Sequence, residues 1–308
     1  MGKGKDVSEK VLEDYNEVFA DIVNNLLFSG REVVKAEELE NAVTVSQLKM
    51  ADGLHEQERD TAKYWKRGAI TIAAIGFENQ SFSDQTMPLR SFSYDGTSYK
   101  SQVNRYNSEQ KQKRSLSPFY PAVTIVLHFG QKRWTGPRTL RECFQDVPPE
   151  LEAFIPNYAI HVVDVAFLTP EEVGRLKSDF RFVADYLVQT RTSGDYVPSD
   201  GRIVHVDETL KLLGAITGDS SFQETMNMFE ENGKENMTMC DVVQKFRNEG
   251  REQGRVEGRA EEREQGIRVL VETVRDFTQD KDAAIQRLIR AFSLSPASAA
   301  EKVAQYWT

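Results

Sequence analysis

The stretch Ile70-Thr-Ile-Ala-Ala-Ile-Gly-Phe-Glu-Asn-Gln80 decides how the rest of the chain is read. Its apolar run is short and rich in β-branched residues, which favours a buried strand over a helix. Residues two apart on a strand share a face, so Glu78 and Gln80 project together from its end. Upstream, Asp60 opens Asp-Thr-Ala-Lys-Tyr-Trp65, which reads as a neighbouring strand. Two carboxylates and an amide converging from adjacent strands form a hard oxygen donor set of the kind Mg²⁺ takes, usually one or two carboxylates plus water. The candidate site is therefore Asp60, Glu78 and Gln80. The same spacing also fits a solvated strand terminus, since short motifs recur by chance.

The whole chain narrows the classes. With 308 residues, 28% charged and 39% hydrophobic, it has the composition of a globular protein with room for one domain and an appendage. No apolar run approaches membrane-spanning length, and Met1-Gly-Lys-Gly-Lys-Asp6 lacks a signal-peptide core and has Asp6 where myristoylation wants Ser or Thr. A cytoplasmic protein that does not engage membranes is expected. Cys143 and Cys240 stand far apart, which argues against a disulfide framework, and the four histidines lack zinc-site spacing. The net charge of −9 argues against a protein that coats nucleic acid. Charge is unevenly distributed, however. Between Tyr99 and Arg141 there are nine basic residues, including Lys111, Lys113 and Arg114, against Glu109 alone. That segment could follow a phosphate backbone or serve as a solvated loop.

Along the chain, Val7 to Leu27 carries apolar residues three and four apart and predicts one amphipathic helix, stopped by Gly30. Glu37 to Glu40 reads as a connecting turn. Strands are predicted at Thr61–Trp65, Ala69–Phe77, Pro121–Phe129 and Ala159–Leu168. A polar linker with Met87-Pro-Leu leads into a helix carrying Arg90, Phe92, Tyr94 and Tyr99. Near-continuous apolar strands imply a sheet covered on both faces. Thr169-Pro-Glu-Glu starts a helix expected to run through Phe182 and Leu187. From Val206 onward only helices are predicted, broken near Gly218 and Gly233. Arginine then recurs every four residues at 247, 251, 255, 259 and 263, with Gly250, Gly254 and Gly258 between. A period of four drifts round a helix of 3.6 residues per turn, and the glycines weaken it. A solvated tail and a helix ordered by a partner both fit.

Several motifs in order resemble one family. Arg59-Asp-Thr-Ala-Lys-Tyr-Trp65, Phe77-Glu-Asn-Gln-Ser81, Met87-Pro-Leu-Arg90 with Tyr94-Asp95, and Ala122-Val-Thr-Ile-Val-Leu-His-Phe-Gly130 with Trp134-Thr-Gly-Pro137 are similar to the recombination-promoting nuclease and transposase family, a branch of the PD-(D/E)xK superfamily. The resemblance spans roughly Tyr15 to Thr190 and extends to the arginine-glycine repeat. It implies an α/β, restriction-endonuclease-like mixed sheet flanked by helices at residues 1–195, and an α-helical C-terminal region at 196–308 with the repeat at 247–266. It also implies metal-dependent cleavage of DNA using Mg²⁺, or another divalent cation such as Mn²⁺ or Ca²⁺, with Asp60, Glu78 and Gln80 catalytic and Asp60 and Glu78 holding the metal.

The chain departs from the superfamily pattern in two places: Arg59 replaces the proline before the aspartate, and Gln80 replaces the usual lysine. On the first helix Asn16 and Ala20 stand where some relatives carry Asp and Lys, and Glu17 or Asp21 are the possible substitutes. Lys63 and Arg90, with Lys111, Lys113 and Arg114, are the candidate DNA contacts. A homodimer acting on DNA is expected. The alternative is a catalytically inactive relative that binds DNA or oligomerises.

Overall fold

In the computed structural model, residues 11–42, 45–50, 53–58, 60–199, 201–228 and 236–307 are described. Val7 to Lys10, Arg59 and the break near Gly233 lie outside them. The chain divides into two compact units, Met1–Val242 and Val243–Thr308.

The first unit is built on a five-stranded mixed sheet in the order β1-β4-β5-β6-β7, comprising β1 (Leu39–Asn41), β4 (Thr61–Arg67), β5 (Ile70–Gln80), β6 (Ala122–His128) and β7 (His161–Asp164). β1, β4 and β5 are antiparallel, whereas β5, β6 and β7 are parallel. β5 is thus the strand at which the sheet changes direction, and it carries Glu78 and Gln80. Two further strands, β2 (Val45–Met50) and β3 (Gly53–Glu58), form a separate antiparallel ribbon that the apolar pattern does not signal. The predicted α/β class holds: a mixed sheet flanked by helices, with helices after it.

Helix α1 (Asn16–Leu26) covers one face of the sheet. Val18, Phe19, Ile22 and Val23 are fully buried, and the Phe19 ring stacks on Phe77 of β5 with centroids 4.4 Å apart. The helix is shorter than its apolar spacing predicts. Leu12–Asp14 is a single 3-10 turn and Tyr15 is extended, because its ring stacks on His205 at 3.5 Å and its hydroxyl donates to Glu208 at 3.0 Å. Helix α2 (Met87–Lys111) covers the opposite face as the crossover between β5 and β6. Met87-Pro-Leu belongs to its first turn rather than to a linker, with Pro88 placed where its missing N–H costs nothing. Its buried face is partly polar. Asp95 accepts from the Thr124 hydroxyl at 2.9 Å and the Tyr158 hydroxyl at 2.7 Å, and Gln102 exchanges two hydrogen bonds with the Tyr120 backbone.

Two other expectations are corrected. The third apolar run is a strand only over His161–Asp164, followed by the 3-10 turn Val165–Phe167. The helix begun at Thr169, with a full capping box to Glu172, stops at Arg175, and a second helix starts at Phe180. Asp21 explains that break: its carboxylate accepts from the Lys177 and Ser178 backbone N–H groups at 2.9 and 2.8 Å, holding them out of a helix. Between β6 and these helices lies α3 (Pro149–Glu152). The helices themselves are α4 (Pro170–Arg175) and α5 (Phe180–Ser193), followed by α6 (Val206–Thr217), which ends at left-handed Gly218, and α7 (Ser221–Met228).

In the second unit, α8 (Met239–Thr278), which begins just before it, packs against α9 (Lys281–Phe292) and α10 (Pro296–Tyr306) around Ile267, Val271, Leu288 and Val303. The arginine-glycine repeat is helical rather than a shapeless tail. All five repeat arginines are exposed, and a Cβ at Gly250, Gly254 or Gly258 would touch nothing. No helix among the described residues is long and apolar enough to cross a membrane.

Lys63 is among the largest fully buried side chains. Its ammonium donates to the Asp14 carbonyl at 2.8 Å and the Asn41 amide oxygen at 2.6 Å, tying β4 to β1 and to the segment before α1. This removes it from the candidate DNA contacts, because a group sealed beneath α1 and the sheet cannot meet a phosphate. Lys63→Ala leaves both acceptors unpaired above a new cavity and is expected to lower stability by about 2–4 kcal/mol, read from urea unfolding followed by circular dichroism.

Candidate active site at the end of the central strand

The alternation of β5 sends Phe77 and Asn79 toward α1, and Glu78 and Gln80 toward α2. β4 pairs Thr61 with Phe77, so Asp60, immediately before it, comes to rest beside the end of β5. The contact is direct: Asp60 Oδ2 accepts from the Asn79 backbone N–H at 2.8 Å. The strand that carries Glu78 and Gln80 is thereby tied to the Asp60 carboxylate. Asp60 is exposed, Gln80 half-buried, and Glu78 is 1% exposed.

A buried carboxylate needs a cationic partner. Arg90, one turn into α2, donates to Glu78 Oε2 at 2.8 Å through Nη2 and to Asp84 Oδ2 at 2.8 Å through Nη1. Burial would lower its basicity, but hydrogen bonds to Tyr94 and Asp84 and the charge of Glu78 raise its pKa above the ordinary arginine value. Asp84 lies below the usual carboxylate range. Burial acts against this, yet the Thr86 N–H and hydroxyl and Arg90 outweigh it. The Tyr94 hydroxyl is pushed up by burial, with Glu78 and Asp60 both contributing negative charge. Arg90 therefore belongs to the site as the ion partner shared by Glu78 and Asp84.

Sequence reasoning overlooked Glu13. Its side chain is fully buried before α1, Oε1 accepts from Asn79 Nδ2 at 3.1 Å, and Oε2 has no partner among the described residues. Burial raises its pKa from the ordinary 4.5 to about 7, and the nearby charges of Asp60 and Asp14 push the same way. Asn79 thus links Glu13 to the Asp60–Glu78 strand end. The signal available was slight: Glu13 and Asp14 stand side by side between Leu12 and Tyr15, and nothing local marks which of them is buried. Glu17 and Asp21, the expected substitutes, do structural work elsewhere: Glu17 pairs with His205 at 2.7 Å and Asp21 holds the α4–α5 break. Asn16 donates to the Ala36 and Leu39 carbonyls.

Lys111, Lys113 and Arg114 lie at the far end of α2. Twenty-one residues at 1.5 Å per residue put Lys111 about 30 Å along the helix from Arg90. The structure brings Asp60, Glu78, Gln80 and Arg90 together and leaves that basic run apart.

The donor chemistry of Asp60, Glu78 and Gln80 suits a hard divalent cation, for which two carboxylates with amide and water oxygens suffice. Among the described residues no group of three or more His, Cys, Asp or Glu side chains is gathered to hold a metal, so such a site would be the two-carboxylate kind.

These features define an α/β protein with a carboxylate-bearing strand end at the point where its mixed sheet changes direction. Residues 67–197 match the family model described as Putative transposase, YhgA-like, which bears out the resemblance read from the motifs. Glu78, Gln80 and Arg90 fall inside the matched span and Asp60 just before it. No curated protein and no solved structure matches the chain.

Glu13 supplies a pH test. Its proton is held more tightly in the folded chain, so between about pH 4.5 and 7 the unfolded chain releases a proton that the folded chain keeps. Stability from this group is fully present below pH 4.5 and is lost as pH rises through 7. Glu13→Gln should abolish that slope and be more stable than the parent at pH 8 by about 3 kcal/mol, measured by urea unfolding at pH 5 and pH 8.

Proposed function

We propose that this chain is a metal-dependent DNA endonuclease serving recombination or a mobile element. The observation that carries the reading is Asp60 docked on the backbone of the strand that presents Glu78 and Gln80. The family match, by its description, supports the mobile-element setting.

In this reading Asp60 and Glu78 hold a divalent cation such as Mg²⁺ or Mn²⁺. A bound cation would lower the pKa of a coordinated water and neutralise charge on a phosphate. The remaining work falls to the chain. Gln80 cannot act as a base or supply positive charge, but its amide can orient the attacking water or donate to a phosphate oxygen. Arg90, shared between Glu78 and Asp84, is about one-third exposed and can turn from a carboxylate to a phosphate, where its planar fork binds two oxygens. Asn79 fixes Asp60 through its backbone and Glu13 through its side chain, keeping the strand end in one geometry.

The Arg90–Glu78 ion pair also favours a second reading, a catalytically inactive relative in which the guanidinium has taken the cation's place. The two readings differ in one assay. Nicking of supercoiled plasmid in Mg²⁺, Mn²⁺, Ca²⁺ or EDTA is expected to require metal. Asp60→Ala and Glu78→Ala should each reduce it on the order of a hundredfold or more, the scale of several kcal/mol of lost transition-state stabilisation. Absence of cutting in every metal, or cutting indifferent to both substitutions, would leave the inactive relative.

A further inference from the structure

A cleft of about 650 Å³ opens where β5 and β6 end, beginning at the residue after Gln80. Ligands of open α/β sheets gather outside the carboxyl ends of parallel strands, and this cleft has that position. One wall is Ser81 to Ser83 after β5, and another runs from His128 to Arg133 after β6. α5 and α6 close the back with Leu187 and Ile216. Among the described residues its ionisable lining groups are Lys132, Arg133, His128 and the phenol of Tyr186, and no carboxylate lines it. In a chain of net charge −9 these groups gather cationic side chains at one place, with Asp164 behind them as the partner of His128 and Arg133. Ser81, Ser83, Thr135 and Thr190 add hydroxyls.

The two walls are built, not loose. Thr135 N–H donates to Ser83 Oγ at 2.9 Å, joining them. Asp164 accepts from the Trp134 N–H at 2.8 Å and pairs with His128 Nδ1 at 2.8 Å. The Arg133 guanidinium lies over the Phe167 ring at 4.4 Å and 4.0 Å from Asp164 Oδ2, while its side chain stays 68% exposed and open to a second anion. The β6 loop approaches so closely that a Cβ on Gly130 would sit 2.6 Å from His128 Nε2 and 2.9 Å from the Ser81 carbonyl. At the cleft's edge Phe82 is 83% exposed, an aromatic face with no cover in a wall otherwise stitched by hydrogen bonds.

We propose that this cleft binds one nucleotide of a DNA strand next to the Asp60–Glu78–Gln80 site, its phosphate held by Lys132 and Arg133 and its base stacked on Phe82. The choice of nucleic acid as occupant rests on the reading in the previous subsection. The pairing of cations with an exposed aromatic is what single-strand recognition uses, because every base has a face to stack and every residue a phosphate.

The test titrates the full-length protein, in EDTA, with thymidine monophosphate, thymidine, inorganic phosphate and a short oligothymidylate by calorimetry. Thymidine monophosphate should bind more tightly than thymidine or phosphate, and the oligothymidylate more tightly still. Phe82→Ala, an exposed position that costs the fold little, should weaken the nucleotide and the oligomer on the order of tenfold, the scale of one base–aromatic stack, and leave phosphate unchanged. Lys132→Gln should weaken all three phosphate ligands, and Lys111→Gln, at the far end of α2, none. Nucleotide binding no tighter than phosphate, or indifferent to Phe82 and Lys132, would overturn the proposal, as would an oligothymidylate weaker than the mononucleotide. Because no divalent cation is present, a failure of plasmid cutting would fell the nuclease reading without altering these titrations.

Discussion

A carboxylate buried at the end of the central strand is the constraint on which the rest of the site depends. Glu78 lies inside the sheet–helix interface, where an uncompensated charge would cost several kcal/mol. Its partner must come from whatever element packs over that strand end, and Arg90 in the first turn of α2 is that partner. The need to bring Arg90 within reach fixes where α2 begins and how the segment between β5 and α2 turns. Asp84 in that segment then takes the second arm of the same guanidinium. One buried charge thus also sets the join between the antiparallel and parallel halves of the sheet.

Similar polar anchors recur across the first unit. Asp95 and Gln102 fasten α2 to β6 and to the Tyr120 backbone. Asp164 fastens the loop after β6. Asp179 is nearly buried and accepts from the Val204 and His205 backbone N–H groups just before α6. Lys63 does the same from the sheet. Hydrophobic burial holds the layers together but is indifferent to small shifts in register. Buried hydrogen bonds are not indifferent, because a misplaced partner leaves a desolvated group unpaired. Phe19 on Phe77 supplies adhesion here, and these polar pairs set position.

Much of the architecture was legible in residue order. The strands around Ile75 and Ile125, the helix through Tyr94, the helix start at Thr169 and the break at Gly218 all follow from local patterns. Errors fell where a distant contact overrode the pattern. Tyr15 leaves the helical spacing because His205 and Glu208 hold its ring and hydroxyl. The helix after Thr169 breaks because Asp21, from α1, takes its backbone donors. Lys63 reads as a candidate DNA contact, yet two oxygens inside the fold accept its ammonium protons. Glu13, next to Leu12, shows nothing locally of the burial that lifts its proton affinity.

By itself, the sequence determined the class of sheet, the shared face of Glu78 and Gln80, and the candidacy of Asp60, since periodicity and strand alternation are local properties of the backbone. Tertiary structure alone decided which charges meet. Arg90 became the partner of Glu78, Glu13 joined the site through Asn79, and the basic run at Lys111 was carried far from it along α2. The reason is physical: ion pairing and desolvation depend on distance through space and on exclusion of water, and neither is fixed until the layers have packed.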